Sequence, residues 1–407
     1  MSFNEGAVIT GSRNTLNLVA IRQIPYPKLE DDMIIIKAVA YAVNPTDWKH
    51  VYPEDFIGHQ LSETFKYAGL GIHSLACVFG SMGSYLGKSL ARPLTFYQRG
   101  NVAGSDVSGI VEEVGKNVDT FKKGDIVNAS LHGGINKVGG FSKYVMVSPN
   151  ATVKYPVGQL SDKPLDIGEH PCGPITSFES AAAVGVGLKT IALSFYYNLG
   201  IPVDKLKNSN DYLLIWGGAT ATGILGIQIA KSVFGIKVIT TASKKNHSLL
   251  SSLGADEIFD YNDDDVIEKL KIAGGGNIKY ALDCVSNLKT LQSIYDATEG
   301  SSDVTIDNLL FLNERSITTD PKRKVKFTST DAYLVDGRKH FGHVASPKML
   351  EEYLEFWTKY LPSIIKNIKA PPLKVLPTGL QSANEGLKMF IEGNVAGQKL
   401  VFRNNSE

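Results

Sequence analysis

The stretch 213-LLIWGGATATGILGIQIAK-231 decides the fold, because a short apolar run leads into a glycine-rich turn and then into a helix-forming segment. Gly217, Gly218 and Gly223 supply the tight curvature and close approach that a nucleotide phosphate requires. The first N–H groups of the following helix would face the same place. Thr220 stands where a dinucleotide fingerprint normally has its central glycine. A plain tight strand-to-helix turn is therefore the alternative interpretation.

Two further features favour a nucleotide over a plain turn. Thr220 and Thr222 place hydroxyl donors where phosphate oxygens would lie. An NAD site has an acidic residue about 20 positions after the turn, whereas 241-TASKKNH-247 offers Ser243, Lys244 and Lys245 there and no carboxylate. Cations and hydroxyls stabilise a 2′-phosphate, so the stretch predicts NADP(H). Two exposed lysines at a helix start are the alternative.

The order of elements around the turn predicts a parallel sheet. Strand patterns such as KVITTA, EIFDY and YALDCV alternate with helix patterns after residue 213, which implies βαβ units. The N-terminal part is instead β-rich, with runs such as 33-MIIIKAVAYAV-43, and predicts barrel-like packing. Residues 51–100, rich in glycine, histidine and aromatics, have the character of an insertion.

Composition excludes several classes of protein. The formal net charge of +1 gives no reason to expect nucleic acid as a partner, and 322-KRKVK-326 is interpreted as a solvated loop. Cys77, Cys172 and Cys284 are odd in number and widely spaced, which fits a reducing compartment and predicts a cytoplasmic protein. No window reaches the roughly 18 apolar residues of a membrane span, so no stable membrane insertion is expected.

These features together resemble the medium-chain dehydrogenase/reductase superfamily. The resemblance is to its zinc-independent branch of quinone reductases, fungal aldehyde reductases and trans-acting enoyl reductases, and covers nearly the whole chain except residues 51–100. The motifs that carry it are 44-NPTDWKH-50, 109-GIVEEVGKNVDTFKKGDIV-127, 216-WGGATATG-223, 254-GADEIFDY-261, 281-ALDCVSN-287 and 397-GQKLVF-402.

The resemblance implies an α/β fold with a GroES-like, β-rich catalytic domain and a doubly wound parallel (Rossmann) sheet. We expect the catalytic domain over 1–190 with the insertion at about 51–100, the NADP-binding domain over 191–345, and a returning segment over 346–407. The cofactor-binding residues that it implies are Thr46, Asp47, Trp48, Lys49, Gly218, Ala219, Thr220, Ala221, Thr222, Gly223, Ser243, Lys244, Asn246, Tyr261, Leu312, Asn313, Lys399 and Leu400.

The resemblance also implies that no metal is bound. Zinc-dependent members carry a Cys at the position of Asn44, a His-Glu pair at Ser105–Asp106, and a third ligand in the region of 183-AVGVG-187. A catalytic zinc needs three such ligands, and this chain has none of them at those positions. His340 and His343 form a pair without a third candidate, so they are interpreted as loop or core histidines.

Without a metal, catalysis must rest on positioning and on hydrogen-bond donors near the substrate oxygen. Thr46 occupies the place of the proton-relay hydroxyl of the zinc-dependent members, and Lys49 follows in the same loop as a candidate donor. A solvent-facing lysine is the alternative for Lys49. Asp47 is expected to orient the loop, because an ordinary carboxyl is ionised near pH 7. Water or a ribose hydroxyl are further candidate proton donors.

Two functions from different classes follow. The first is a zinc-independent, NADPH-dependent reductase of an activated C=C or C=O bond in a small carbonyl substrate such as an enone, quinone or aldehyde. The second is a non-enzymatic, NADP-responsive binding or membrane-peripheral protein that uses aromatic residues of the insertion as a docking surface. The insertion could equally be a lid over the substrate cleft or an oligomer contact. A homodimer is possible, because dimers are usual in the family.

Overall fold

The computed structural model describes residues 3–12, 14–52, 98–135, 137, 139–340 and 343–405. Contacts within the chain divide it into two compact units, one formed by Met1–Val186 with Pro372–Glu407 and the other by Gly187–Pro371. The second unit thus extends to residue 371, whereas the sequence boundary was drawn at 345. Most of the insertion at 51–100, with the aromatic residues proposed for docking, lies outside the described residues.

The strands within these ranges follow one another as Phe3–Ile9 (β1), Val19–Pro25 (β2), Ile34–Val43 (β3), Asp106–Val114 (β4), Ile126–Ser130 (β5), Tyr144–Val147 (β6), Thr152–Tyr155 (β7), Gly168–His170 (β8), Gly173–Pro174 (β9), Tyr212–Trp216 (β10), Lys237–Thr241 (β11), Glu257–Phe259 (β12), Ile278–Asp283 (β13), Val304–Asn308 (β14), Val325–Ser329 (β15), Lys369–Ala370 (β16), Leu373–Val375 (β17) and Lys399–Arg403 (β18).

The α-helices in the described ranges are Pro45–Val51 (α1), Phe178–Ala182 (α2), Gly185–Ala192 (α3), Ala221–Ile229 (α4), His247–Ser252 (α5), Val266–Gly274 (α6), Leu288–Ala297 (α7), Pro347–Glu355 (α8), Leu361–Ile364 (α9) and Ser382–Ile391 (α10). π-helical segments continue three of them, over Leu193–Asn198, Ala230–Phe234 and Phe356–Tyr360.

The first unit is built on a mostly antiparallel sheet in the order β7-β5-β4-β3-β18-β17-β8, with β6 also pairing with β3. Strand β3 lies at its centre, which explains its almost continuous apolar sequence. The C-terminal strand β18 pairs directly with β3, with Leu400 opposite Val43. The larger of two core clusters described in this unit includes residues of β3, β4 and β18, and a smaller one is formed by Met33, Ile35 and Met146. The predicted GroES-like, β-rich domain is therefore confirmed.

The second unit holds a six-stranded sheet in the order β12-β11-β10-β13-β14-β15, with every neighbouring pair parallel. This is the doubly wound order in which the chain returns to the centre after its third strand, so the switch point lies between β10 and β13. Ligands of open parallel sheets bind at the carboxyl ends of the strands beside such a point. The predicted Rossmann sheet is confirmed, and the quoted stretch forms β10 and α4.

The segment at 177–200 begins with a capping box and contradicts the expectation that no window is apolar enough to span a membrane. Ser180 takes the part of the usual glutamate: its hydroxyl accepts from the N–H of Ser177, whose own hydroxyl accepts from the N–H of Ser180. Phe178–Asn198 is also the one helix in the described residues that is long and apolar enough to cross a membrane, and 94% of its apolar window is buried within the protein. Such burial is usual for a core helix.

Candidate functional site

The turn between β10 and α4 is a cradle that requires glycine at three of its positions. Gly217 has a φ of 85°, in the left-handed region. A Cβ on Gly218 would lie 2.2 Å from Oγ1 of Thr240, and a Cβ on Gly223 would lie 2.5 Å from the carbonyl oxygen of Gly217. The backbone therefore approaches closely here, at the carboxyl end of β10 and the N-terminus of α4, where a phosphate is best held.

Thr220 contributes to this turn differently from the sequence expectation. Its hydroxyl accepts from the N–H of Gly223 at 3.0 Å and donates to the carbonyl of Gly217 at 2.8 Å, so it is the N-cap of α4 rather than a free donor. The remaining turn residues Ala219, Ala221 and Thr222 are partly exposed. The backbone of the turn and the hydroxyl of Thr222 remain the candidate phosphate ligands.

The end of β11 carries the residues predicted to surround a 2′-phosphate. Ser243 is partly buried and its Oγ accepts from Nδ2 of Asn246 at 3.2 Å. Lys244 is exposed, with Nζ 3.8 Å from Oδ1 of Asp263. Tyr261, just after β12, is 48% exposed. These four predicted contacts thus lie in segments that follow the adjacent strands β11 and β12, and Asp263 is an acidic neighbour that the sequence pattern did not indicate.

The segment after β13 is held by hydrogen bonds to one buried carboxylate. Asp283, at the end of β13, accepts from the backbone N–H groups of Val285 and Ser286 and from the hydroxyl of Thr290. Burial raises the pKa of Asp283 to about 6, against the lowering effect of these donors. The arrangement fixes the loop that adjoins the glycine turn.

Leu312 and Leu400 do not present side chains to a ligand, contrary to the expectation for the nicotinamide end of the site. Leu312 is 9% exposed and packs in the core of the parallel-sheet unit, and Leu400 is fully buried in the core of the GroES-like unit. Asn313 is exposed and its side chain accepts from the N–H of Arg315, which starts a short 3₁₀ turn. Both leucines lie within or shortly after a strand, where an apolar side chain gains more from packing in the core than from facing a polar ligand.

Lys399 is buried beside Asn44 and Asp106, two positions that the family resemblance matches to zinc ligands. Its Nζ donates to Oδ1 of Asn44 and lies 3.1 Å from Oδ2 of Asp106, while Nδ2 of Asn44 donates to that same oxygen at 2.8 Å. The N–H of Val186 donates to the other oxygen of Asp106 at 2.7 Å. All four residues belong to the GroES-like unit, and Lys399 was predicted instead as a cofactor contact.

This donor set does not fit a zinc ion. One carboxylate and one amide remain as ligand types, both are already bonded, and the ammonium of Lys399 would repel a dication. Within the described ranges no group of three or more His, Cys, Asp or Glu side chains could hold a metal. His340 is buried and bonded through Nδ1 to Asp331 at 2.5 Å, as expected for a core histidine.

Helix α1 carries the predicted catalytic residues and is anchored by Asp47. Oδ2 of Asp47 accepts from the N–H of Asn44 at 2.8 Å, and Oδ1 accepts from the hydroxyl of Ser105 at 2.6 Å. Its role in orienting the loop therefore agrees with the prediction. The supporting reason was wrong, since burial raises the pKa of Asp47 to about 7 although both hydrogen bonds lower it.

Lys49, on the same helix, is partly buried. Burial lowers its pKa to about 8, because the charged ammonium loses hydration. Thr46 and Trp48 are also partly exposed. A lysine with a pKa near neutrality can donate a proton and regain one quickly, which is the property of a general acid.

Comparison with known proteins identifies the family. The family model described as an alcohol dehydrogenase GroES-like domain matches residues 30–157, and the one described as a zinc-binding dehydrogenase matches residues 221–306. An uncharacterized protein of Saccharomyces cerevisiae is 33% identical over 94% of both chains, and a trans-enoyl reductase of Alternaria alternata is 31% identical over 95% of both.

Solved structures share the fold at lower identity. The quinone oxidoreductase of Coxiella burnetii superposes with a TM-score of 0.63 at 20% identity, covering 98% of this chain and 99% of its own. The CurK enoyl reductase gives a TM-score of 0.64 at 17% identity and covers 99% of both chains. Together with the two units, the glycine turn and the curated relatives, these similarities establish that the chain belongs to the medium-chain dehydrogenase/reductase superfamily of oxidoreductases.

Proposed function

We propose that this oxidoreductase uses NADPH, without zinc, to reduce an activated C=C or C=O bond in a small carbonyl compound such as an enone, a quinone or an aldehyde. The preference for NADPH over NADH is inferred from the residues that follow β11. They offer the hydroxyl of Ser243 and the exposed ammonium of Lys244 where an NAD enzyme has a carboxylate. Trans-enoyl reductases and quinone oxidoreductases among the similar proteins support the reaction class.

The residues of the parallel-sheet unit fit a dinucleotide. The cradle of Gly218 and Gly223 admits a pyrophosphate against the N-terminus of α4, and Ser243, Lys244 and Asn246 would surround the 2′-phosphate. When bound, the cofactor supplies a hydride from its nicotinamide ring. The protein's part is to fix the orientation of the two reactants and exclude water.

Zinc independence rests on the ion pair of Lys399 and Asp106. The ammonium provides the positive charge at these positions, so the carboxylate has its counter-ion without a metal. We assign the proton step to Lys49, whose lowered pKa suits a donor, with Thr46 as the neighbouring hydroxyl. Asp47 holds the helix that carries both.

The test is a titration of the metal-free protein with NADPH and NADH, followed by tryptophan fluorescence, in the wild type and in Lys244→Glu. NADPH should bind at least tenfold more tightly than NADH in the wild type, and the variant should lose that preference because a carboxylate repels a 2′-phosphate. Lys322→Glu, in an exposed loop, is the matched control and should bind as the wild type. Equal affinity for both cofactors in the wild type would refute the preference.

A second measurement tests the reaction. Oxidation of NADPH is followed with a panel of enals, enones, quinones and saturated aldehydes, with and without EDTA. Turnover that EDTA leaves unchanged is the expected result, and inactivation by the chelator would contradict the absence of zinc. The relative rates on enals and saturated aldehydes decide between C=C and C=O reduction.

The non-enzymatic alternative depended on the segment 51–100, most of which lies outside the described residues. Membership of an oxidoreductase family favours the enzyme. A cytoplasmic location and a homodimer remain proposals from the sequence. The assignment of residues 346–407 to a segment returning to the catalytic domain is also a proposal, and it can apply only from residue 372 onward, because α8 and α9 belong to the second unit. Sedimentation of the purified protein tests the dimer.

A further inference from the structure

The loop after β14 presents an exposed phenylalanine in an unusual conformation. Phe311 has a φ of 59°, in the left-handed region that residues other than glycine and asparagine rarely adopt, and it is 62% exposed. The loop begins at the carboxyl end of β14, the edge of the sheet at which open parallel sheets bind ligands. A strained residue that is also a large exposed hydrophobe needs an explanation.

A fully satisfied asparagine holds this conformation. Oδ1 of the buried Asn308 accepts from the N–H groups of Leu310 at 3.1 Å and of Leu312 at 3.0 Å. Its Nδ2 donates to the carbonyls of Leu312 at 2.8 Å and of Thr328 at 2.9 Å. Four hydrogen bonds from one side chain therefore fix both sides of Phe311. The hydrogen bonds of Asn308 therefore hold the backbone in the conformation that exposes the ring.

The same loop is joined to the glycine turn. Oγ of Ser286 accepts from the N–H of Leu309 at 2.8 Å, and Ser286 itself has a φ of 58°. Its neighbour Val285 is 43% exposed, and a Cβ added to Gly217 would lie 2.9 Å from Cγ2 of Val285. Exposed apolar residues therefore follow both neighbouring strands, with Val285 after β13 beside the glycine turn and Phe311 after β14.

The chemistry of this surface selects its ligand. The N–H groups of Leu309, Leu310 and Leu312 are already bonded inside the protein, so the exposed surface that Val285 and Phe311 offer is hydrocarbon. Across the sheet, β11 and β12 take the 2′-phosphate end of the cofactor, which leaves β13 and β14 for the reacting end. An alkyl chain is the kind of ligand group that gains most from contact with such exposed hydrocarbon side chains.

We propose that Phe311 is a specificity-determining residue that contacts the hydrocarbon chain of an unsaturated carbonyl substrate. This inference rests on the proposed reductase function and deepens it. Leu312, which the family resemblance implies as a cofactor contact, packs in the core instead, next to the exposed ring.

The experiment compares Phe311→Asn with Phe311→Tyr. Asparagine tolerates a positive φ, so it keeps the loop and removes the ring, whereas tyrosine keeps the ring. The specificity constant kcat/KM is measured for straight-chain 2-enals of four to nine carbons with NADPH, and the Kd of NADPH is measured separately. Leu206→Ala, in the same unit and 87% exposed, is the control for loss of a surface hydrophobe.

In the wild type kcat/KM should rise by up to about fourfold for each CH₂ that reaches the ring. This dependence on chain length should disappear in Phe311→Asn because KM no longer falls with each CH₂, and it should persist in Phe311→Tyr and Leu206→Ala. The Kd of NADPH should stay within about twofold of the wild-type value in all three variants. An unchanged dependence on chain length in Phe311→Asn would overturn the proposal. A parallel loss of NADPH affinity would overturn it as well, because the ring would then contact the nicotinamide.

A binding measurement separates this proposal from the proposed activity. The alcohol 1-nonanol is titrated by calorimetry into the wild type and into Phe311→Asn, each saturated with NADP⁺. Weaker binding in the variant alone supports the contact even if no enal is reduced, in which case only the reductase function fails. Equal binding in both proteins, or binding to neither, overturns the contact.

Discussion

Replacing Lys399 by methionine tests whether an ammonium holds together the positions that carry zinc ligands in relatives. The substitution keeps the length of the side chain and removes its charge, leaving the fully buried Asp106 without its counter-ion. Breaking a buried pair from one side costs about 3–5 kcal/mol. Asp106 keeps two donors, from Asn44 and from the N–H of Val186, so we expect the lower end, about 3 kcal/mol.

The assay is urea unfolding at pH 7, with thermal unfolding as a second readout. For a unit of this size, 3 kcal/mol corresponds to a loss of about 6–12 °C in Tm. The double variant Lys399→Met/Asp106→Asn should recover more than half of the loss, because no unpaired charge remains. Lys116→Met, which breaks an exposed pair with Asp31 in the same unit, should cost less than about 1 kcal/mol. A loss of that small size in Lys399→Met, or no recovery in the double variant, would refute the reasoning.

Three other perturbations have defined outcomes. The pKa of Asp47 is raised to about 7 from an unfolded value near 4, so its protonation stabilises the fold at low pH and this contribution is lost as the pH rises through 7. The free energy of unfolding of the wild type relative to Asp47→Asn should therefore fall by about 2–3 kcal/mol between pH 5 and pH 7 in urea titrations, and a constant difference would contradict the assignment. The pKa of Lys49 is lowered to about 8, so kcat/KM should decline above pH 8 in the wild type and not in Lys49→Arg; superimposable pH profiles would exclude Lys49 as the donor. Thr220→Ala should lose about 1 kcal/mol of stability with the N-cap while Thr222→Ala loses little, and equal losses would mean that the cap does not stabilise α4.

The sequence predicted most of the fold because its strongest signals are local. The apolar run of β10, the glycine turn and the alternation of strands and helices determine the parallel sheet, and they appear within a single stretch of the chain. Two helix caps were not predicted, because each uses a residue other than the one that its sequence motif specifies. Ser180 completes a capping box without a glutamate, and Thr220 caps α4 instead of offering its hydroxyl to a phosphate.

The contacts that the sequence did not predict join distant residues. Nothing near Lys399 indicates that its ammonium meets Asn44, which is 355 residues away in the chain. The raised pKa of Asp47 likewise follows from burial that only the folded sheet creates. The exposure of Phe311 depends on Asn308, whose side chain has no sequence signature. The sequence pattern therefore indicates the candidate cofactor segments but not which of their side chains are buried.

The position of β18 has a consequence for the synthesis of the protein. This last strand lies between β3 and β17 in the sheet, so the central strand of the first unit gains one of its neighbours only when the end of the chain has been made. Ribosomes add about 5–20 residues each second, and the interval between Asn44 and Lys399 is thus roughly 20–70 s. The second unit is continuous in sequence and can complete its sheet earlier. During that interval residues 40–43 of β3 form an open edge of the nascent sheet, and such an edge is prone to pair with other chains.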